Sequence, residues 1–397
     1  MSMDFDFTED QKLLQSTAKD FAEKVIAPNI ERMRKDRRIP KEVFDGLAKM
    51  GFLGMAIPEK YGGMGMDAVS TGIVAEQIAR ADPTASIPVL FLVDNAWSYL
   101  ISKYGNPEVF SGILQKVARG SLITGIGSTE SGHGSDVAGI DTVAVKKGDE
   151  YIVNGEKSFI SLVRDIKEIG GGYVTVVKTD PKAGARGISL LYIPYSEEIE
   201  IGYLEEMGRE GSSWGTLRFN DLHVPAKYLI GQENRGFNIV HEGFEFARGL
   251  ISVISASMAL KSIENGAAYM KQRKAFGNSI ATFEGLQFQL ADDVAKMEAA
   301  LNFAYKALWI YDQEQRYGKY SRFQVSKMIA MAKLISTTWG FDAVNDAMQW
   351  QGAYGYSKDC PEEWALRGIR SFQLAEGSRE IMKIIIARET LGKEFIK

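Results

Sequence analysis

Five short stretches carry the residue types that could do chemistry, and each is open to more than one reading. Ser371 to Arg388 reads SFQLAEGSREIMKIIIAR, in which Glu376 precedes Gly377, Ser378 and then an apolar and basic run with amphipathic-helix spacing. Acids such as Glu376 and Glu380 sit favourably in a first helical turn, which is one explanation of both. The other is a proton-abstracting base at Glu376, with Ala375 and Gly377 leaving room for a ligand at the backbone. Between Ile126 and Asp136, Gly, Ser and Thr are dense. Main-chain N–H groups there can turn toward an anion, while Thr129 and Ser135 can hydrogen-bond a polar ring or phosphate, but an ordinary turn looks the same. The spacing is neither that of a P-loop nor that of a dinucleotide fingerprint.

The third stretch, Asn154 to Ser161, opens with Asn154-Gly155, a dipeptide that predicts a hairpin turn. Phe159 and Ser161 then fall on one face of an extended segment, suited either to flank an aromatic cofactor or to serve as a core Phe beside a surface Ser. Arg273 to Gly277 closes a helical pattern with a guanidinium, an aromatic and a glycine stop. That set suits a diphosphate or complements a helix dipole. Gln349 to Tyr356 ends another helical pattern in amides, glycines and aromatics, for which a C-cap suffices.

These stretches must be held by a sizeable fold. The chain has 397 residues, 45% of them hydrophobic and 25% charged, with a net charge of −4. That balance is globular, and it gives no global case for nucleic acid or an anionic membrane. The lone Cys360 cannot form an internal disulfide, so a reducing cytoplasm is compatible. It precedes Pro361 in an expected loop and reads as an ordinary thiol. No uninterrupted apolar run reaches membrane length, Met1 to Gln11 carries acids where a leader carries bases, and no metal ligand set stands out.

Phe7 to Ala118 reads as helical, with Thr8 as N-cap, further helices over Asp67 to Arg80 and Val89 to Tyr104, and a Gly-rich interruption from Ile57 to Gly65. After Ser121 come short β-rich runs near 142–145, 151–153, 173–177, 188–193 and 217–219, which predict an antiparallel sheet or barrel. Helices return over Phe237 to Met270, Gln287 to Tyr317, Arg322 to Gln351 and Glu376 to Leu391. The expected class is mostly α with a central β domain, divided as 1–119, 120–235 and 236–397.

Taken in order, the stretches Thr129 to Asp136, Arg273 to Gly277, Leu290-Ala-Asp292, Gln349 to Tyr356 and Glu376-Gly-Ser378 resemble the hallmarks of the acyl-CoA dehydrogenase family. Supporting matches are Pro58 to Gly63, Met207-Gly-Arg209 and Phe219 to Pro225. The resemblance implies an N-terminal helical domain, an antiparallel β domain and a C-terminal four-helix bundle. It implies FAD as cofactor, an acyl-CoA substrate oxidised to the 2-enoyl-CoA, an electron-transfer flavoprotein as acceptor, and a homotetramer. By the same resemblance Glu376 takes the α proton while the β hydride passes to flavin N5. FAD contacts fall on Ile126, Ser128, Thr129, Gly134, Ser135, Phe159, Ile160, Ser161, Ser378 and Glu380. Arg273, Phe276, Gln349, Gly352 and Ala353 are expected to reach the FAD of a neighbouring chain. Ser135, Phe244, Glu245, Arg248 and Gly377 are expected along the CoA thioester.

Departures from the family pattern are Ser131, His133, Glu284 and Gly368, none of which supplies an evident second base. No Arg lies in the Asp82 to Val89 segment, where glutaryl-specific relatives carry one. Asp94 is the departure with chemical content. On a helix that lines the acyl pocket in the family, a carboxylate is costly unless paired or used. Either it faces solvent or a neighbouring cap, or it recognises or deprotonates a substrate beyond the α carbon. The second reading suits an alicyclic thioester such as cyclohexanecarboxyl-CoA or cyclohexenecarboxyl-CoA. Short- or branched-chain linear substrates, and an oxidase or monooxygenase on the same fold, are the alternatives.

Overall fold

The structure, a computed structural model, describes residues 6–395, so Met1 to Phe5 of the stretch read for a leader lie outside it. The helical start is fixed by a capping box. The Thr8 hydroxyl accepts from Gln11 N at 3.3 Å and the Gln11 side chain accepts from Thr8 N at 3.1 Å, which satisfies two of the free donors of α1 (Glu9–Phe21). Five more helices follow, α2 (Ile30–Asp36), α3 (Lys41–Lys49), α4 (Ala68–Ala81), α5 (Ser86–Tyr104) and α6 (Pro107–Ala118). Buried Asp82 starts α5 by accepting from Thr84 N at 2.9 Å and Ile87 N at 2.7 Å.

The β region is an eight-stranded sheet of β1 (Ile123–Gly127), β2 (Val143–Lys147), β3 (Glu150–Ser161), β4 (Gly171–Lys178), β5 (Ile188–Pro194), β6 (Glu200–Tyr203), β7 (Trp214–Pro225) and β8 (Leu229–Ile230). A short helix, α7 (Val163–Ile169), joins β3 to β4. The order is β6-β7-β3-β2-β4-β5-β8, with β1 paired to β4. Most pairs are antiparallel as expected, but β1 runs parallel to β4 along its length and β2 meets β4 in parallel at Val143 and Lys178, so the sheet is mixed. Parallel pairing needs a crossover rather than a tight turn, and hairpin signals do not show it.

Asn154-Gly155 is not a turn. The hairpin closes at Gly148-Asp149, between paired Lys147 and Glu150, with Gly148 at φ 62°. A two-residue primed turn of the Asn-Gly kind needs positive φ at both central positions, whereas only Gly155 of its pair has it, at 145°. The two residues instead sit inside β3 at a register shift against β7, where Asn154 Nδ2 donates to Asp221 Oδ1 at 2.9 Å. A Cβ on Gly155 would lie 2.6 Å from Thr142 Oγ1, so glycine is needed for close approach.

The C-terminal region comprises α8 (Gly236–Gln272), a small hairpin β9 (Lys274–Ala275) and β10 (Asn278–Ser279), then α9 (Glu284–Tyr317), α10 (Arg322–Trp350), α11 (Pro361–Phe372) and α12 (Arg379–Leu391). Pro361 opens α11 where a loop is expected from the sequence; proline suits the first helical turn because its missing N–H has no partner there anyway. In length and composition α8 passes for a membrane span, yet 94% of its most apolar window is buried inside the protein, as in a core helix. It packs against α4, α5, α9 and α10 and forms the spine on which the candidate site is built.

Candidate active site

Glu376 lies before α12, not inside it. Its φ of 57° and the 103° of Gly377 break the helical pattern expected from the sequence, and the Ser378 hydroxyl then caps α12 by accepting from Ile381 N. Two buried cations hold this segment by its carbonyls. Arg248 Nε, from α8, donates to the Glu376 carbonyl at 2.6 Å, and Lys333 Nζ, from α10, donates to the Gly377 carbonyl at 2.5 Å. The carboxylate is left outside these bonds, with Oε2 sealed from solvent and without a partner among the described residues. Burial raises its pKa to about 7 against the pull of Arg248 and Lys333. Lys333 is only 1% exposed, and burial with neighbouring Arg248 brings its own pKa down to about 7.

On the same face of α8, the Phe244 ring lies 5.5 Å from the Arg248 guanidinium and edge-on to Trp97 of α5 at 5.3 Å. His241 meets Phe237 and Phe244 edge-on, and burial with Arg248 and Arg388 lowers its pKa to about 4, so it is a neutral ring there. Glu245, expected along the CoA path, is instead bonded to Arg322 and Ser326 of α10. Asp94 is fully buried three residues before Trp97, so it does not face solvent. Its Oδ1 accepts from Thr124 N of β1 at 2.8 Å, while Oδ2 and the Thr124 hydroxyl have no partner among the described residues. Burial raises the Asp94 pKa well above the usual carboxylate range.

The β side brings Ser128, Thr129, Phe159, Ile160 and Ser161 together. The Thr129 carbonyl accepts from Ser158 N at 2.8 Å and the Ser128 carbonyl from Lys157 Nζ at 3.2 Å. Lys157, wholly buried, pairs with Glu130 at 2.7 Å, and Glu130 also accepts from Thr142 N and Thr142 Oγ1. This pair pins the glycine-rich loop to β3. His133 is a local turn residue, its main chain bonded both ways to Glu130. Phe159 takes φ 62° and remains 50% exposed beside Trp214, at 5.2 Å between rings. Ser161 Oγ accepts from Arg209 at 3.2 Å. Gly134 and Ser135 are exposed, Ile126 is half-buried on β1, and Glu380 is exposed.

Arg273, Phe276, Gln349, Gly352 and Ala353 form a separate group. Phe276-Gly277, with φ of 52° and 82°, is the primed turn of the β9–β10 hairpin, and Phe276 is 93% exposed. Stacked Tyr269 and Tyr354 join the end of α8 to the turn Gly352–Tyr356 that follows α10. At about 1.5 Å per residue, Arg248 and the end of α8 at Gln272 are roughly 36 Å apart. One chain therefore holds the two groups far apart along α8, one near Arg248 and one past its C-terminal end. Two open cavities, of about 850 and 420 Å³, lie elsewhere, beside α1 and beside the Tyr99–Phe246–Tyr311 cluster.

Three family descriptions match the chain in order: "Acyl-CoA dehydrogenase, N-terminal domain" over residues 8–121, the middle domain over 125–222 and the C-terminal domain over 234–391. The chain belongs to the acyl-CoA dehydrogenase family. Isobutyryl-CoA dehydrogenase of Dictyostelium discoideum is 33% identical over 96% of this chain and 89% of its own length. Among solved structures, butyryl-CoA dehydrogenase from Megasphaera elsdenii aligns with a TM-score of 0.90 and 28% identity over 98% of this chain and 100% of that one. A chain described under the electron transferring flavoprotein of Acidaminococcus fermentans aligns with a TM-score of 0.91 and 32% identity, covering 98% and 100%.

As a member of that family the chain is an acyl-CoA dehydrogenase with FAD as its cofactor. Its residues fit the group. An uncovered Phe159–Trp214 face, exposed Phe276 and open Gly134 and Gly352 leave space for flat rings and a diphosphate. The sequence reading gives no role to Lys157, Glu130 or Lys333, and it includes Arg209 only within the Met207-Gly-Arg209 match. A signal existed for Lys333, which continues the buried i, i+4 series Val325 and Ile329 of α10, where a cation needs a partner.

Proposed function

We propose that Glu376 is the base of this dehydrogenase, removing the α proton of the acyl-CoA thioester, and that its main-chain N–H is one donor to the developing enolate oxygen. The observation that carries this is the Glu376 carboxylate itself: on a half-buried residue, with Oε2 sealed from solvent and free, tuned to about 7, on a segment whose carbonyls are tied back to Arg248 and Lys333. A base near that value is ionised in part at neutral pH and still basic enough to take a carbon-bound proton. FAD, when bound, supplies the hydride acceptor. Ser128, Thr129, Gly134, Ser135, Phe159, Ile160, Ser161 and Ser378 are assigned to that cofactor, and Phe244, Arg248 and Gly377 to the thioester. Glu245 acts on the CoA path through α8, which its bonds to Arg322 and Ser326 hold against α10.

For the acyl group we favour an alicyclic thioester, because Asp94 places a protonatable carboxyl with an unpartnered oxygen on α5, three residues from the Trp97 that meets Phe244. Short- or branched-chain acyl-CoA is the second reading, favoured by the isobutyryl- and butyryl-specific names of the similar proteins. The same proposal divides the chain at 119 and 235. It places the protein in the cytoplasm, passes electrons to an electron-transfer flavoprotein, and makes each FAD site from two chains of a homotetramer.

The test is anaerobic mixing of the FAD-loaded protein with cyclohexanecarboxyl-CoA, cyclohexenecarboxyl-CoA, butyryl-CoA and isobutyryl-CoA. Flavin bleaching by a cyclic thioester, lost in Glu376→Gln, is expected. Bleaching by the acyclic thioesters alone overturns the alicyclic assignment, and fast reoxidation by air rather than by the flavoprotein identifies an oxidase.

A further inference from the structure

Lys333 is a buried amine with an unusual partner. It is 1% exposed, and its ammonium bonds to the carbonyl of Gly377 rather than to a carboxylate. The charged groups that act on it are Arg248, from α8, and Glu376, from the segment before α12. Arg248 is itself 5% exposed and spends its Nε on the Glu376 carbonyl. Burying a cation against a main-chain dipole is costly, since a carbonyl balances only part of the lost hydration. A fold that needed only to seat α12 could place an apolar side chain there. What the two cations do together is fix consecutive peptide planes. A trans peptide is rigid, so a donor on the Glu376 carbonyl sets the plane that leaves its Cα, and a donor on the Gly377 carbonyl sets the next. Both residues have positive φ, at 57° and 103°, a region in which Glu376 does not rest unaided.

We propose that Lys333 is a positioning residue for the catalytic base: with Arg248 it draws the carbonyls of Glu376 and Gly377 into the bundle and so holds the Glu376 carboxylate turned out toward the thioester. The proposal rests on Glu376 being the base. Its second consequence is electrostatic. While it is protonated, Lys333 holds the carboxylate's affinity for protons below what burial alone would give, and as a neutral amine it can still donate to the Gly377 carbonyl. Lys333 thus sets both the aim of the base and the pH at which it becomes available. Arg248 shares the first task, but the resemblance also places it along the CoA path, so Lys333 is the cleaner handle.

The experiment compares Lys333→Met and Lys333→Gln with the parent protein, all loaded with FAD. The rate of flavin reduction by a thioester that bleaches the parent is measured anaerobically against pH. Infrared pH titration of the Glu376 carboxyl, identified by its loss in Glu376→Gln, reads the base without turnover. Lys333→Met should retain FAD and its melting temperature to within a few degrees. It should slow flavin reduction about 10- to 100-fold, as a misplacement of about 1 Å does, with little change in KM, and the Glu376 titration should move to higher pH. Lys333→Gln can still donate to the Gly377 carbonyl, so it should recover most of the rate while keeping the displaced titration. Parent-like rates and titration in Lys333→Met overturn the proposal, as does a loss of rate that only accompanies loss of FAD or of the fold. Failure of Glu376 as base shows separately, as a parent-like rate in Glu376→Gln.

Discussion

At the scale of single residues, the chemistry is set by which carboxyls lose water. Glu376 titrates near 7 because burial outweighs Arg248 and Lys333. Since the base must be ionised, flavin reduction should rise with pH through about 7 and level above it, and Glu376→Gln should lower the rate on that plateau about 10²- to 10⁴-fold and abolish the rise. Stopped-flow bleaching checks both. Asp94 gives a prediction of opposite kind. Its folded pKa is raised from the ordinary 3.8, so above that value the unfolded chain has released a proton that the native protein keeps. Fewer protons on the unfolded state means that stability falls as pH rises, until the folded pKa is passed. Asp94→Asn keeps an acceptor for Thr124 N and removes the titration, so its melting temperature should match or exceed the parent's at neutral pH and lose that part of the slope. If Asp94 serves the acyl group, the same variant loses turnover of its cyclic substrate while remaining stable. Residue chemistry was legible in the sequence for Glu376, because glycine and serine after an acid at a helix start are a local pattern. For Lys333 only its place on the buried face of α10 is legible, and its partner is not, because the backbone it serves is 44 residues away in the chain.

At the scale of elements, loops here are held by buried polar pairs. Glu130 and Lys157 tie the glycine-rich loop to β3, and Glu130 draws in Thr142 as well. Glu130→Gln leaves Lys157 as a buried cation without its counter-charge, and should cost about 3–5 kcal/mol in chemical denaturation together with a marked loss of FAD affinity. A tight loop gives the second case. A Cβ on Gly63 would drive into the Ile57 carbonyl, and Gly63→Ala should cost about 1–3 kcal/mol by overpacking. Helices were the most legible elements, with α4, α5, α8, α9 and α10 found within a few residues by apolar spacing and caps. The sheet was less so. Asn154-Gly155 carried a hairpin signal into the middle of β3 because a bulge and a turn draw on the same residues, and the neighbour that decides between them is Thr142, in the segment that leads into β2.

For the whole molecule, the length of α8 separates Glu376 from the Arg273 and Phe276 group by roughly 36 Å of helix. If each FAD spans two chains, Glu376→Gln and Arg273→Ala lie on opposite halves of one site. Co-expressing the two inactive chains should then place both lesions in one site of a mixed pair and leave the other site whole. Activity recovered in the mixture, beyond either variant alone, checks this; no recovery places all contacts within one chain. By itself the sequence determined the family, the α, β, α order and the identity of the candidate base, because these rest on local spacing and on an ordered set of motifs. Only the tertiary structure decided that Glu376 precedes its helix, that two distant cations hold it there, that Asp94 is sealed against β1, and that the sheet is mixed. Burial and the partner of a charge are properties of several elements at once, so neither can be read along one.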